Sequence, residues 1–159
     1  MKEILELLEN DARLTPKQIA ALLDMEEREV ARIIKEMEER KIILGYHTFV
    51  NWDKVGEEKV SALIEVRISP QREVGFDAVA ERIYRFPEVK TVRLMSGAYD
   101  LVVMIEGRTL KEVANFVSQK LATIDHVLST STHFVLKNYK LQGTIIEDGE
   151  EDRRLVITP

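Results

Sequence analysis

The sequence predicts an α+β protein, a three-helix N-terminal unit followed by a β-α-β-β-α-β unit. Two observations carry that expectation. Apolar residues recur at helical spacing through residues 1–46, and from Val60 onward the period changes to two. The chain has 159 residues, 45% hydrophobic and 32% charged, which suits one ordinary domain or two small ones and excludes disorder along the whole length.

In the first unit, residues 1–46, Ile4, Leu5 and Leu8 form the first apolar stripe. Thr15-Pro16 opens a second helix, threonine as cap and proline in the first helical position, and Ile19, Ala20, Leu22 and Leu23 supply its apolar side. Asp24 is expected to cap a third helix, in which Val30, Ile33, Ile34 and Met37 share one face at i, i+3, i+4 and i+7. At about 100° per residue, Arg28, Arg32 and Lys35 then lie together on the opposite side, within roughly 60° of one another. A short helix, a tight connection at Leu23 to Met25 and a second helix with an outward basic stripe form the pattern of a helix-turn-helix, whose second helix enters the major groove of DNA. The competing reading is a solvated charged face. Glu26, Glu27, Glu29, Glu36 and Glu39 surround the basic residues, and residues 1–46 carry a net charge of −3 within a total of −5.

Leu44-Gly45-Tyr46 ends the helical region, and residues 47–57 read as an extended linker with a turn at Asn51-Trp52-Asp53. The second unit spans residues 58–141. Val60, Ala62, Ile64, Val66 and Ile68 alternate with Ser61, Leu63, Glu65 and Arg67 as a strand ending at Ser69-Pro70. Phe76, Val79, Ala80, Ile83 and Tyr84 give a helix that must stop before Pro87. Val89 to Ser96 and Leu101 to Ile105 read as strands joined by a turn at Gly97-Ala98-Tyr99-Asp100. Leu110, Val113, Ala114, Phe116, Val117 and Leu121 form a second helix, and Val127 to Lys137 a last strand with Thr130, Thr132, Phe134 and Leu136 on one face. Such a split β-α-β unit makes a ferredoxin-like antiparallel sheet with both helices on one face. The other face is expected to expose apolar and threonine side chains and to need a second copy of the chain as cover. Residues 142–159 form an acidic C-terminal extension, with Gly143–Ile146 and Leu155–Ile157 as the halves of a candidate hairpin.

Zero cysteines exclude disulfides, zinc fingers and a thiol nucleophile. No apolar run approaches the ~18 residues of a membrane helix, and Met1 to Glu6 lacks the pattern of a signal peptide, so a cytoplasmic protein without membrane contact is expected. The phosphate-binding, dinucleotide-binding and HExxH motifs are absent, and His47, His126 and His133 form no helical pair; neither cofactor, metal nor catalytic residue is expected. The most distinctive segment is Ser96-Gly97-Ala98-Tyr99-Asp100. As structure, glycine supplies a positive φ and the aspartate bonds its own turn. As function, free amides at the turn receive the carboxylate of a zwitterion and Asp100 its ammonium.

With both units in place, the chain resembles the leucine-responsive and asparagine-responsive (Lrp/AsnC) family of transcription regulators over residues 2–141. The resemblance rests on Thr15-Pro16-Lys17-Gln18-Ile19-Ala20, on Val30 through Met37-Glu38, on Ile42-Ile43-Leu44-Gly45-Tyr46, and on Ser96 to Leu101, which is similar to the family's Gly-x-x-Asp loop, followed by Ser129-Thr130-Ser131-Thr132. It implies a regulator that binds double-stranded DNA, dimerises through the sheet, assembles into tetramers or octamers and binds an amino acid between dimers. The implied effector-binding residues are Ser96, Gly97, Ala98, Tyr99, Asp100, Thr130 and Thr132, and the DNA-binding set is Thr15, Lys17, Gln18, Arg28, Arg32 and Lys35. The chain departs from the family where serine is frequent at Glu26, arginine at Ile33 and glycine at Lys41. Two other readings stand beside this one: an enzyme on the same scaffold that resembles siroheme decarboxylases, and a ligand sensor with a degenerate DNA-binding module.

Overall fold

The computed structural model describes residues 1–57, 59–69 and 75–146, and the chain divides into two compact units with the boundary after Val50. The first unit is three helices: α1, Lys2–Asn10; α2, Pro16–Leu23; and α3, Glu27–Glu39. Thr15 caps α2 in a capping box, its hydroxyl accepting from the Gln18 amide while the Gln18 side chain accepts from the Thr15 amide, and Pro16 takes the first position as expected. The apolar stripes meet as Ile4, Leu8, Ile19, Ala20, Val30, Ile34 and Met37, all buried, with Ile33 half-buried against them. Leu22, expected on the apolar side of α2, is 61% exposed.

Asp24 does not cap α3. It closes α2 in the left-handed region, φ 52°, donating its amide to the Ala20 carbonyl, and Glu26 takes the N-cap position of α3 with no side-chain bond. A residue that ends one helix in the left-handed region cannot also hold the extended backbone of the next cap. The turn between the helices is therefore Asp24–Glu26.

At the end of α3, Lys41 also lies in the left-handed region, φ 58°, with its amide donating to Glu38 O at 3.1 Å and the Ile42 amide to Met37 O at 2.8 Å. That is a Schellman closure, whose left-handed position favours glycine. Lys41→Gly is therefore expected to stabilise the first unit by roughly 0.5–1 kcal/mol, the strain relieved being larger than the chain entropy glycine adds. Urea unfolding checks this, and a loss of stability would show that the lysine side chain holds the closure.

The second unit carries β1, Val60–Ile68; α4, Phe76–Tyr84; β2, Val89–Leu94; β3, Leu101–Gly107; α5, Leu110–Phe116, continued by a π turn over Val117–Leu121; and β4, Val127–Phe134. The sheet order is β2-β3-β1-β4, every neighbouring pair antiparallel. This is the ferredoxin-like arrangement the strand order predicts. Its core is built from Ala62, Ile64, Val66, Leu101, Val103 and Ile105 against Val79 and Ile83 of α4 and Val113 and Phe116 of α5. The last strand stops at Phe134, short of the expected Lys137.

Register corrects the assignment of the sheet faces. Thr130 pairs with Val66 and Thr132 with Ile64, so both threonines share the helix-covered face with the core residues. The opposite face carries Leu63, Val102 and Met104 among charged neighbours, Glu65, Arg67 and Arg93. Alternation fixes a period but not its phase, and only pairing with β1 tells which set on β4 points inward.

A small hairpin follows, β5, Lys140–Leu141, with β6, Thr144–Ile145. Gln142 and Gly143 form its two-residue turn, both with positive φ, 45° and 86°. The Gly143–Ile146 half of the expected hairpin thus pairs upstream, and Leu155–Ile157 lies outside the described residues. Among the described residues, no helix is long and apolar enough to cross a membrane.

Candidate functional site

In the first unit the outward face of α3 is the candidate surface. Arg28, Arg32 and Lys35 are all exposed there. Arg32 reaches Glu36 at 3.6 Å and Lys35 reaches Glu39 at 3.9 Å, both pairs one turn apart on the same helix, and Arg40 also reaches Glu36 at 3.3 Å. Exposed pairs of this kind contribute only about 0.3–0.5 kcal/mol, so a phosphate can replace the glutamate at little cost. Arg28 has no ion pair or side-chain hydrogen bond among the described residues. Of the remaining residues assigned to this surface, Lys17 is exposed on α2, whereas the Thr15 hydroxyl and the Gln18 side-chain oxygen are engaged with each other in the capping box.

In the second unit the loop Ser96–Asp100 joins β2 to β3. The Met95 amide donates to Asp100 O at 2.8 Å and closes the loop. Gly97 has φ 147°, a conformation that side-chain-bearing residues rarely adopt, and a Cβ there would meet nothing within 4 Å, so the backbone angle and not crowding calls for glycine. Asp100 does not bond its own turn through its carboxylate. Its Oδ2 accepts from the Ile68 amide at 2.8 Å, and its own amide donates to Val66 O at 3.0 Å, which fastens the loop to the end of β1. Ser96, Gly97 and Ala98 are exposed; Tyr99 and Asp100 are half-buried.

Val66 pairs with Leu101 on one side and Thr130 on the other. Thr130 therefore lies at the loop's end of the sheet, two strand spacings or about 10 Å from Leu101. Thr132 sits further along, level with Ile64. The structure thus brings Asp100 and Thr130 to one end of the sheet. The Ile68 amide is the partner that sequence reasoning missed, and no local signal marks it, because it lies 32 residues from the carboxylate it serves.

Two other clusters are present. Ser131 Oγ lies 3.3 Å and Glu65 Oε1 3.7 Å from the same nitrogen, Nε2, of His133. A nucleophile relay uses both ring nitrogens, one for the nucleophile and one for the acid, so this cluster is not a catalytic triad. A cavity of about 270 Å³ between β3 and α5 is lined by Glu88, Glu106, Glu112, Phe116 and Lys120. The hydrogen bond from Lys120 holds the Glu88 carboxyl below its usual range against the opposing effect of burial. Among the described residues, no group of three or more His, Cys, Asp or Glu side chains is placed to hold a metal ion.

Comparison with known proteins covers both units. Residues 1–43 match the winged helix-turn-helix DNA-binding family, and residues 61–145 match the Lrp/AsnC ligand binding domain. The chain is 49% identical over 158 residues to the uncharacterised HTH-type transcriptional regulator YugG of Bacillus subtilis, covering 99% of this chain and 95% of that protein. A transcriptional regulator of Neisseria meningitidis in complex with L-methionine shares the fold, with a TM-score of 0.70 at 22% identity, covering 91% of this chain and 92% of that one. So does a feast or famine regulatory protein of M. tuberculosis complexed with L-methionine, with a TM-score of 0.70 at 19% identity, covering 88% and 92%.

Proposed function

The chain belongs to the Lrp/AsnC family of transcription regulators, and from that premise we propose that its hold on DNA responds to an amino acid bound at the Gly97–Asp100 loop. The observation that carries the reading is the presence, on one chain, of a helix-turn-helix unit with an exposed basic stripe and an Lrp/AsnC ligand binding domain. In the first unit, α3 enters the major groove and Arg28, Arg32 and Lys35 neutralise phosphates or reach base edges. Lys17, with the capped start of α2 at Thr15 and Gln18, faces the backbone of the duplex.

In the second unit, Asp100 spends one oxygen on the Ile68 amide, and its other oxygen remains for an ammonium group. The exposed backbone of Ser96, Gly97 and Ala98 receives the carboxylate of the same ligand, beside Tyr99, with Thr130 at the loop's end of the sheet and Thr132 two residues further along. The methionine bound in the two neighbouring folds supports an amino acid as the class of effector. The protein acts as a homodimer that assembles further, and the ligand favours one arrangement and thereby sets the spacing of the helix-turn-helix pairs. It is a regulator and not an enzyme, working where the DNA is, in the cytoplasm.

Titration calorimetry of the purified full chain with L-methionine, then with each other common amino acid, tests the effector half. Saturable binding of at least one of them is the expected result. No binding heat from any would remove the amino-acid reading and leave the DNA half standing.

A further inference from the structure

The glutamates at the start of α3 oppose phosphate binding and call for an explanation. The N-cap residue Glu26 and the first two residues of the helix, Glu27 and Arg28, are exposed, and with Ala31 they line one shallow concavity. None of the three charged side chains has an ion pair among the described residues, whereas Arg32 and Lys35 are tethered by Glu36 and Glu39 one turn on. A recognition helix presents its N-terminal residues to base edges, and its later turns lie nearer the backbone.

In the major groove guanine offers two acceptors, N7 and O6, while only cytosine and adenine present an exocyclic amino donor. An ionised carboxylate accepts and cannot donate. Facing a phosphate, guanine O6 or thymine O4 it meets only repulsion; facing the amino group of cytosine or adenine it gains a charge-assisted bond. Arg28, with its planar fork uncommitted, has the opposite preference and matches guanine.

We propose that Arg28 and Glu27 set operator choice: Arg28 reads a guanine, and Glu27 reads the amino group of cytosine or adenine on the neighbouring base pair. Ala31, one turn beyond Glu27 and without a long side chain, lets the helix approach closely enough for both. Arg32 and Lys35 hold phosphates and carry no sequence preference. The inference rests on the reading of the first unit as a DNA-binding module, and it names the two residues through which that module discriminates.

The test is selection of bound duplexes from a randomised pool by the full-length protein, compared with Arg28→Ala, Glu27→Ala and Arg32→Ala, followed by anisotropy on the selected sites. All three positions are exposed, and circular dichroism checks that each variant folds. Arg28→Ala is expected to lose roughly tenfold or more of the discrimination at one G·C pair, and Glu27→Ala to lose its preference for cytosine or adenine on the adjacent pair. Arg32→Ala is expected to keep both preferences and to bind every sequence more weakly. Retention of the wild-type consensus by Arg28→Ala and Glu27→Ala would overturn the assignment while leaving DNA binding intact. Failure of the wild-type chain to enrich any duplex would overturn the DNA reading itself.

Discussion

Replacing Ile4 with alanine is expected to unfold the first unit and abolish DNA binding while the second unit keeps its fold and its ligand. Ile4 is fully buried in α1, in the cluster that also holds Leu8, Ile19, Val30 and Met37, and each unit has its own core cluster. Truncating a buried isoleucine to alanine costs about 2–5 kcal/mol. A unit of this size rarely holds more than about 3–5 kcal/mol in total, and this one has no cysteine with which to cross-link itself. Calorimetric unfolding and duplex anisotropy at 25 °C measure the effect. Near wild-type DNA affinity in that variant would show that α1 is not needed to hold α3 in place.

The second large effect separates the bond of Asp100 to Ile68 from its proposed role toward a ligand. Asp100→Ala removes the acceptor for the Ile68 amide and leaves that group orphaned at a half-buried site, a loss of about 1–3 kcal/mol on top of any loss of ligand. Asp100→Asn retains an acceptor oxygen for Ile68 and removes the charge that an ammonium group needs. The asparagine variant is therefore expected to unfold in urea much as the wild type does, and to bind the amino acid roughly 10- to 100-fold more weakly, the usual worth of a charge-assisted bond. Wild-type affinity in Asp100→Asn, by calorimetry, would make the residue a clamp for the loop and nothing more.

The helices and strands were legible because both units bury a regular stripe. The alternation from Val60 to Ile68 predicts β1 to the residue, and Val30, Ile34 and Met37 are the buried face of α3. Polar groups with competing local duties were less legible. Asp24 reads as the start of the third helix but ends the second, and the difference is made by the left-handed backbone through which the Met25 amide also reaches Ala20 O, at 3.0 Å. Gln18 looks like a free side chain facing a duplex, and its commitment to Thr15 appears only when the cap geometry is known. Asp100 could be singled out from its loop, but its bond to Ile68 depends on the β1–β3 pairing, which no local pattern encodes. The same holds for Thr130 and Thr132, whose face is set by register with Val66 and Ile64.

The most direct test of the account is fluorescence anisotropy of the full chain on the duplex upstream of its own gene, across a salt series, with and without a mixture of the common amino acids. The account predicts that log affinity falls linearly with log salt, as counterions are released from neutralised phosphates, and that the amino acids shift the curve. Absence of binding at low salt, with and without the amino acids, would contradict it. The glutamates beside Arg28, Arg32 and Lys35 would then mark a sensor whose helix-turn-helix no longer reads DNA.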